Sequence, residues 1–338
     1  MKKIRFGIIG CGKVTETFYL PVSKRLPWMD ITSLVDTNEQ QVTRLAKTFT
    51  IPFWSTNIYD IIDKVDAVVI ALPNHLHASV SIDFLSRGIH TFVEKPMAVT
   101  VGECDRMIEA ANHSNAILSI GLVRRYYPAF RFVKYLLNKN ILGTIRKVDF
   151  SEGQKSKWGV VSDYRFKREK GGGVLSAIGS HTLDTLSWWI GEADSILYYD
   201  DSKGGVEANC RLDISMKNGT QGVVEISTNR NLRNSYRIIG EHGIIECGIN
   251  PEGPLTITDM NKTYNIPVKN DLNLDRYTVV NAFYEQMEDF YKTIVTKDYH
   301  SIDGYEGKRA IEMIEVCHLN RKSISYPWQN LSKELLYA

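Results

Sequence analysis

Up to Ile120 the chain repeats one pattern: a short apolar run, then an amphipathic stretch with helical spacing. Residues 4–9, 31–35, 67–72, 90–93 and 117–120 are strand-like. Between them, residues 15–26, 39–49, 78–86 and 101–111 place apolar side chains at helical intervals, the first stopping near Pro27 and the third at Gly88. Strands separated by helices of this length run parallel, because each helix carries the chain back to the edge from which the next strand starts. The pattern predicts a doubly wound parallel sheet over residues 1–121.

After Gly121 the pattern changes. One more helix (130–137) and an alternating strand (145–152) lead to a polar, aromatic loop (155–170), and residues 175–190 are again helical. From 195 to 266 strands follow one another without helices between them. Residues 211–216 and 222–228 alternate on either side of Asn218-Gly219, which predicts a hairpin. Successive strands of this kind pair antiparallel. Helices at 279–295 and 305–319 close the chain. The expectation is an α/β protein: a Rossmann-type domain (1–121), then an α+β domain (122–338) with an open, mostly antiparallel sheet. A length of 338 residues fits two domains at roughly 150 residues each.

The charge balance narrows the function. Forty-one basic residues against 39 acidic ones leave a net charge of +2. That excludes a chain built to bind nucleic acid or an anionic membrane. No apolar run approaches the roughly 18 residues of a membrane span. The first residues lack the apolar core of a leader peptide, so a cytoplasmic protein is expected. The five cysteines form no CxxC pair, so neither a disulfide framework nor a metal site is expected.

Four motifs carry chemistry. The first strand runs into Gly10-Cys11-Gly12-Lys13-Val14-Thr15 and a helix. Two glycines there let backbone N–H groups approach a pyrophosphate at a helix N-terminus. The third position usually holds Gly or Ala, and here it is Thr15. Asp36 ends the second strand, where a carboxylate accepts hydrogen bonds from ribose hydroxyls and repels the extra phosphate of NADP. The third strand ends in Pro73-Asn74-His75-Leu76-His77 and the fourth in Glu94-Lys95-Pro96, both at the edge where open α/β sheets bind ligands. The fourth motif is Gly171-Gly172-Gly173, followed by Gly179, His181, Asp184 and Trp188. The last three share one helix face.

Together these motifs resemble the Gfo/Idh/MocA family, the glucose–fructose oxidoreductases and inositol dehydrogenases. The resemblance spans nearly the whole chain. It implies a Rossmann domain followed by an open-sheet domain, and hydride transfer between NAD(H) or NADP(H) and a hydroxyl or keto carbon of a sugar. Carried over by position, Gly10 and Gly12 would contact the pyrophosphate, with Lys13 and Val14 in the same turn, and Asp36 the ribose. Pro73, Asn74 and His77 would lie along the cofactor, and Glu94 would hold the nicotinamide ribose. Lys95 and His181 would be the acid–base pair, with Pro96 following a cis bond. Arg124 would sit near the cofactor, and Tyr126, Tyr164, Arg165 and Asp184, with Lys95 and His181, near the substrate. Asp36 favours NAD(H) and leaves NADP(H) open.

The chain departs from the family at Ala177, four residues before His181, where relatives commonly carry an Asp that touches the reacting hydroxyl. The loop 155–170 adds a hint about the substrate. It holds six basic residues against two acidic ones, with Trp158, Tyr164 and Phe166 among them, and points to an anionic or nucleotide-linked sugar. Ala177 also keeps two alternatives in play: a non-catalytic NAD-sensing regulator, and a reductase of a non-sugar substrate. Family relatives are commonly dimers or tetramers, so a homodimer or homotetramer is expected, joined through the outer face of the open sheet.

Overall fold

The computed structural model describes residues 2–155, 163–259, 262–270 and 272–324. The chain divides into two compact units. The first comprises residues 1–134, 250–253 and 267–312, and the second 135–249, 254–266 and 313–338. The single cut expected at 121/122 therefore becomes an interleaved division, with the first unit reclaiming a segment near the C-terminus.

The first unit is built on six strands: β1 (Ile4–Ile9), β2 (Met29–Val35), β3 (Phe53–Ser55), β4 (Ala67–Ile70), β5 (His90–Glu94) and β6 (Leu118–Gly121). They lie in the order β3-β2-β1-β4-β5-β6, every neighbour parallel. The chain leaves β1 toward β2 on one side and reaches β4 on the other. The switch point thus falls between the carboxyl ends of β1 and β4, where such sheets bind ligands. Helix Glu39–Phe49 begins where Asn38 accepts the Gln41 N–H and ends at Thr50 in the left-handed region. Helix Val101–Ser114 begins with a reciprocal Thr100–Glu103 cap. Both are standard ways of satisfying the unpaired N–H groups of a first turn.

Helix Val279–Thr296 belongs to this unit for a physical reason. Its buried face carries Ala282, Phe283, Met287, Phe290 and Ile294. Phe290 meets the rings of Phe6 on β1 at 6.1 Å and Phe92 on β5 at 5.5 Å, and Tyr291 stacks on Trp28 at 4.1 Å. It packs on the sheet at β1 and β5.

The second unit is a nine-stranded sheet: β7 (Ile145–Gly153), β8 (Ala193–Asp200), β9 (Asn209–Met216), β10 (Gln221–Ser227), β11 (Ser235–Gly240), β12 (Ile244–Gly248), β13 (Leu255–Asp259), β14 (Lys262–Asn265) and β15 (Arg321–Ser323). The order is β14-β13-β12-β11-β7-β10-β9-β8-β15. Only β7–β10 and β8–β15 pair parallel. The hairpin around Asn218-Gly219 is β9–β10. One buried row crosses the sheet in register: Tyr198, Leu212, Val224, Phe150, Tyr236, Cys247 and Leu255. Helix Ser180–Ile190 covers this face through Trp189, 5.9 Å from the Phe150 ring and 6.0 Å from Tyr236. The opposite face is charged, with Arg237–Glu246 at 2.7 Å and Arg233–Asp149 at 3.1 Å.

Two expected helices start differently. Residues Thr15–Tyr19 and Leu175–Gly179 each form a π-helical turn before α-helix begins. Such turns recur at functional sites, and both fall on the motifs singled out above.

Candidate active site

The glycine turn after β1 has three distinct parts. Gly10 sits at φ +99°, and a Cβ there would come 2.3 Å from the Ala71 carbonyl oxygen. Only glycine lets β1 and β4 close together at this point. Gly12 is different: a Cβ there would meet no heavy atom within 4 Å. The space above the turn is open at this point. Thr15 is fully buried and donates its hydroxyl to the Gly10 carbonyl at 2.6 Å, five residues back. The π-helical turn accommodates this larger residue, and the hydrogen bond satisfies its hydroxyl.

Asp36 fixes the turn from the side. One carboxylate oxygen accepts the Cys11 N–H at 2.6 Å and the other the Asn38 N–H at 2.8 Å, while Gln41 donates to the Cys11 carbonyl at 2.9 Å. Each carboxylate oxygen keeps a lone pair for a further donor. The open cradle at Gly12, the helix opening behind it and the adjacent carboxylate fit a dinucleotide.

The loops after β4 and β5 are tied to each other. Asn74 is buried. His77, also buried, has Nε2 2.8 Å from the Leu72 carbonyl and Nδ1 2.8 Å from the Pro96 carbonyl. Burial pulls its pKa down. The ring bridges the two loops and so holds Pro73 and Lys95 in fixed places. The Lys95–Pro96 bond is cis. Glu94 accepts the Tyr19 hydroxyl at 2.6 Å and the Lys95 N–H at 3.1 Å. Burial pushes its carboxyl up, against the pull of the tyrosine hydrogen bond and the Lys95 charge. Arg124 and Tyr126 lie on the short helical turn Val123–Tyr126 after β6. Tyr126 is buried, which drives its phenol pKa well up. Its neighbour Arg125, which the sequence did not single out, is buried and pairs with Glu306 at 2.6 Å.

In the second unit, His181 stands in the first turn of helix Ser180–Ile190, partly exposed, with Asp184 buried beneath it. Ala177 is exposed one turn earlier. Tyr164 and Arg165 lie on the turn Asp163–Phe166. Lys157 and Trp158 of the basic loop lie outside the described residues. Of the other basic side chains of the loop, Lys167 makes an exposed pair with Asp163 at 2.6 Å, and Arg168 turns to buried acids.

The sequence did not reveal those acids, Asp200 and Glu207. Nor did it reveal Glu152, which accepts the Tyr236 hydroxyl at 2.6 Å and the Thr182 hydroxyl at 3.1 Å under the His181 helix. Each reaches a partner 30 or more residues away, so local spacing does not mark that contact.

Comparison with known proteins gives the family. Residues 4–122 match the model described as an oxidoreductase family with an NAD-binding Rossmann fold, which places the chain among nicotinamide-dependent oxidoreductases. Residues 130–246 match the Gfo/Idh/MocA C-terminal domain, and the chain belongs to the Gfo/Idh/MocA family. Oxidoreductase P35 of Formosa agariphila is 28% identical over 232 residues, 65% of this chain and 71% of that protein. Glucose-6-phosphate 3-dehydrogenase of Bacillus subtilis is 27% identical over 67% of this chain. The match spans 62% of that enzyme, less than two thirds of its length. Among solved structures, levoglucosan dehydrogenase with NADH and levoglucosan shares the fold with a TM-score of 0.85 at 20% identity, covering 94% of this chain and 97% of that one. No helix among the described residues is long and apolar enough to cross a membrane.

Proposed function

We propose that this protein interconverts a hydroxyl-bearing carbon of a sugar or sugar derivative and the corresponding ketone, with NAD(H) as cofactor. The observation that carries the reading is the sheet edge of the first unit. There the open Gly12 turn follows β1, the Asp36 carboxylate follows β2 and Lys95 follows β5, all at the carboxyl ends of one parallel sheet. The sugar class is supported by the Bacillus subtilis relative, a glucose-6-phosphate 3-dehydrogenase.

NAD(H), when bound, accepts or supplies the hydride. Gly10, Gly12, Lys13 and Val14 hold its pyrophosphate end. Asp36 takes the adenosine ribose, and its charge disfavours the extra phosphate of NADP(H). Pro73, Asn74, His77 and Arg124 line the remainder, with Glu94 at the nicotinamide ribose. Lys95 gives a proton to the carbonyl oxygen in reduction and takes one from the hydroxyl in oxidation, with His181 as its partner. Their positive charge also stabilises the oxyanion that develops. Tyr126, Tyr164, Arg165 and Asp184 are assigned to the substrate. Arg168 is held by the buried acids Asp200 and Glu207, which leaves Arg165 as the loop arginine assigned to an anionic group. Lys95→Ala is expected to lower turnover by at least about 100-fold while leaving NADH binding intact. Unchanged turnover removes Lys95 from the role.

Ala177 favours a second reading, an NAD-sensing regulator on the same fold, because the usual acid before the histidine is missing. NADH binding that alters a protein partner, with no sugar turnover, would support it.

A further inference from the structure

Beneath the segment that joins the loop 163–170 to the His181 helix lies a buried acid with no assigned role. Glu207 is 3% exposed, in the connection between β8 and β9. Its Oε1 accepts the Leu175 N–H at 2.9 Å, and its own carbonyl accepts the Val174 N–H at 3.1 Å. Leu175 opens the π-helical turn that continues into the helix of His181. Gly173 lies against the same carboxylate at φ +99°, and a Cβ there would fall 2.3 Å from Oε1. The third glycine of the motif is therefore required by Glu207.

The other side of the carboxylate faces the loop. Glu207 Oε2 is 3.5 Å from the Arg168 guanidinium, which also reaches Asp200 at 3.4 Å and donates to the Ser202 hydroxyl at 3.0 Å. Asp200 is fully buried and pairs with Arg321 at 2.7 Å, anchoring this group of charges to β15. The glycine run folds back on the loop as well: Gly172 N–H donates to the Lys167 carbonyl at 2.9 Å and Gly173 N–H to the Arg165 carbonyl at 3.1 Å.

We propose that Glu207 is a positioning residue, a single buried carboxylate that sets both the start of the His181 helix and the Arg168 end of the loop carrying Tyr164 and Arg165. The proposal rests on the reading that His181 and this loop serve the substrate. A carboxylate at the first N–H groups of a helix is favoured by their partial charge. Paired on its other side with Arg168, it transmits any displacement of one element to the other.

The test compares Glu207→Ala, Glu207→Gln and Arg168→Gln with the wild type. Glu207→Gln keeps an oxygen for the Leu175 N–H and loses only the charge that holds Arg168, so it guards against a failure of the alanine variant to fold. The readouts are NADH binding by fluorescence, kcat and KM on the best sugar of a panel, and amide exchange across 173–179. NADH affinity should stay within about twofold, since the cofactor residues belong to the other unit. Glu207→Ala should lose on the order of 100-fold in kcat/KM, as misplaced catalytic groups do, and should exchange the Leu175 amide faster. Glu207→Gln and Arg168→Gln should raise KM more than they lower kcat, because they release the loop and spare the helix start. A purely structural role would lower thermal stability and leave kcat/KM of the folded protein unchanged, which overturns the proposal. Wild-type protein that binds NADH and turns over no sugar overturns the reading beneath it. Wild-type turnover with an unaffected Glu207→Ala variant overturns the positioning role alone.

Discussion

Gly10 and Gly12 are two residues apart and required for different reasons, and that difference can be measured. At Gly10 a side chain collides with the backbone of Ala71 at a left-handed φ, so Gly10→Ala is expected to destabilise the fold. At Gly12 a side chain meets nothing, so Gly12→Val is expected to keep the melting temperature and lose NADH affinity. Equal melting temperatures with equal NADH affinity would show that the cradle is not where the cofactor lies. Thr15 shows the limit of motif reading at this scale. By residue type it departs from the fingerprint, yet its hydroxyl bond to the Gly10 carbonyl makes it part of the turn. His90 supplies a pH prediction. Burial, helped by Lys297 and Lys2 against Asp66, pulls its pKa down to about 4, and its Nδ1 accepts the Ile117 N–H at 3.0 Å. Protonating that nitrogen breaks the bond. The folded-state value lies below the unfolded one, so this contribution to stability is full above the unfolded value of about 6.5 and falls as pH drops toward 4. Urea midpoints should decline over that window, and His90→Asn, which keeps an acceptor, should flatten the decline. An identical slope in the variant would remove His90 as its source.

At the scale of elements, the strands and helices with strong periodicity were legible. Residues 39–49 form the expected helix, and the buried runs at 67–72 and 90–93 became β4 and β5. β3 was not legible: it is three residues long, at the sheet edge, with Trp54 exposed, and has too little pattern to read. The π-helical turns were hidden for another reason. Their apolar spacing is close to that of an α-helix, and only the hydrogen bonds separate the two. The helix Val279–Thr296 was read correctly as a helix but not as part of the first unit. Its partners Phe6 and Phe92 lie far away in sequence, so nothing local could announce the contact. Phe290→Ala empties that contact and is expected to cost about 3–5 kcal/mol. Denaturant unfolding measures it; a loss under about 1 kcal/mol would mean the helix merely rests on the sheet.

For the molecule as a whole, a near-zero net charge and four motifs in fixed order narrowed the class, and the structure and family comparisons agree with it. The glycine turn was readable because its geometry is local: glycines, a strand end and a carboxylate arrive in one βαβ stretch. The surroundings of His181 were not, because Glu152, Asp200 and Glu207 arrive from strands and turns remote in sequence. The basic loop also looked more available to an anion than it is, since an ion pair such as Arg168 with Asp200 and Glu207 cannot be seen in composition. The outer sheet face is mixed: arginines pair with carboxylates across it, beside the exposed Leu197. The measurement that bears most directly on the function is nicotinamide absorbance, followed while the purified protein is mixed with NAD(H) or NADP(H) and a panel of free, acidic and nucleotide-linked sugars. Turnover of at least one sugar, faster with NAD(H) than with NADP(H), is the expected result. Tight NADH binding with no turnover across the panel would contradict it.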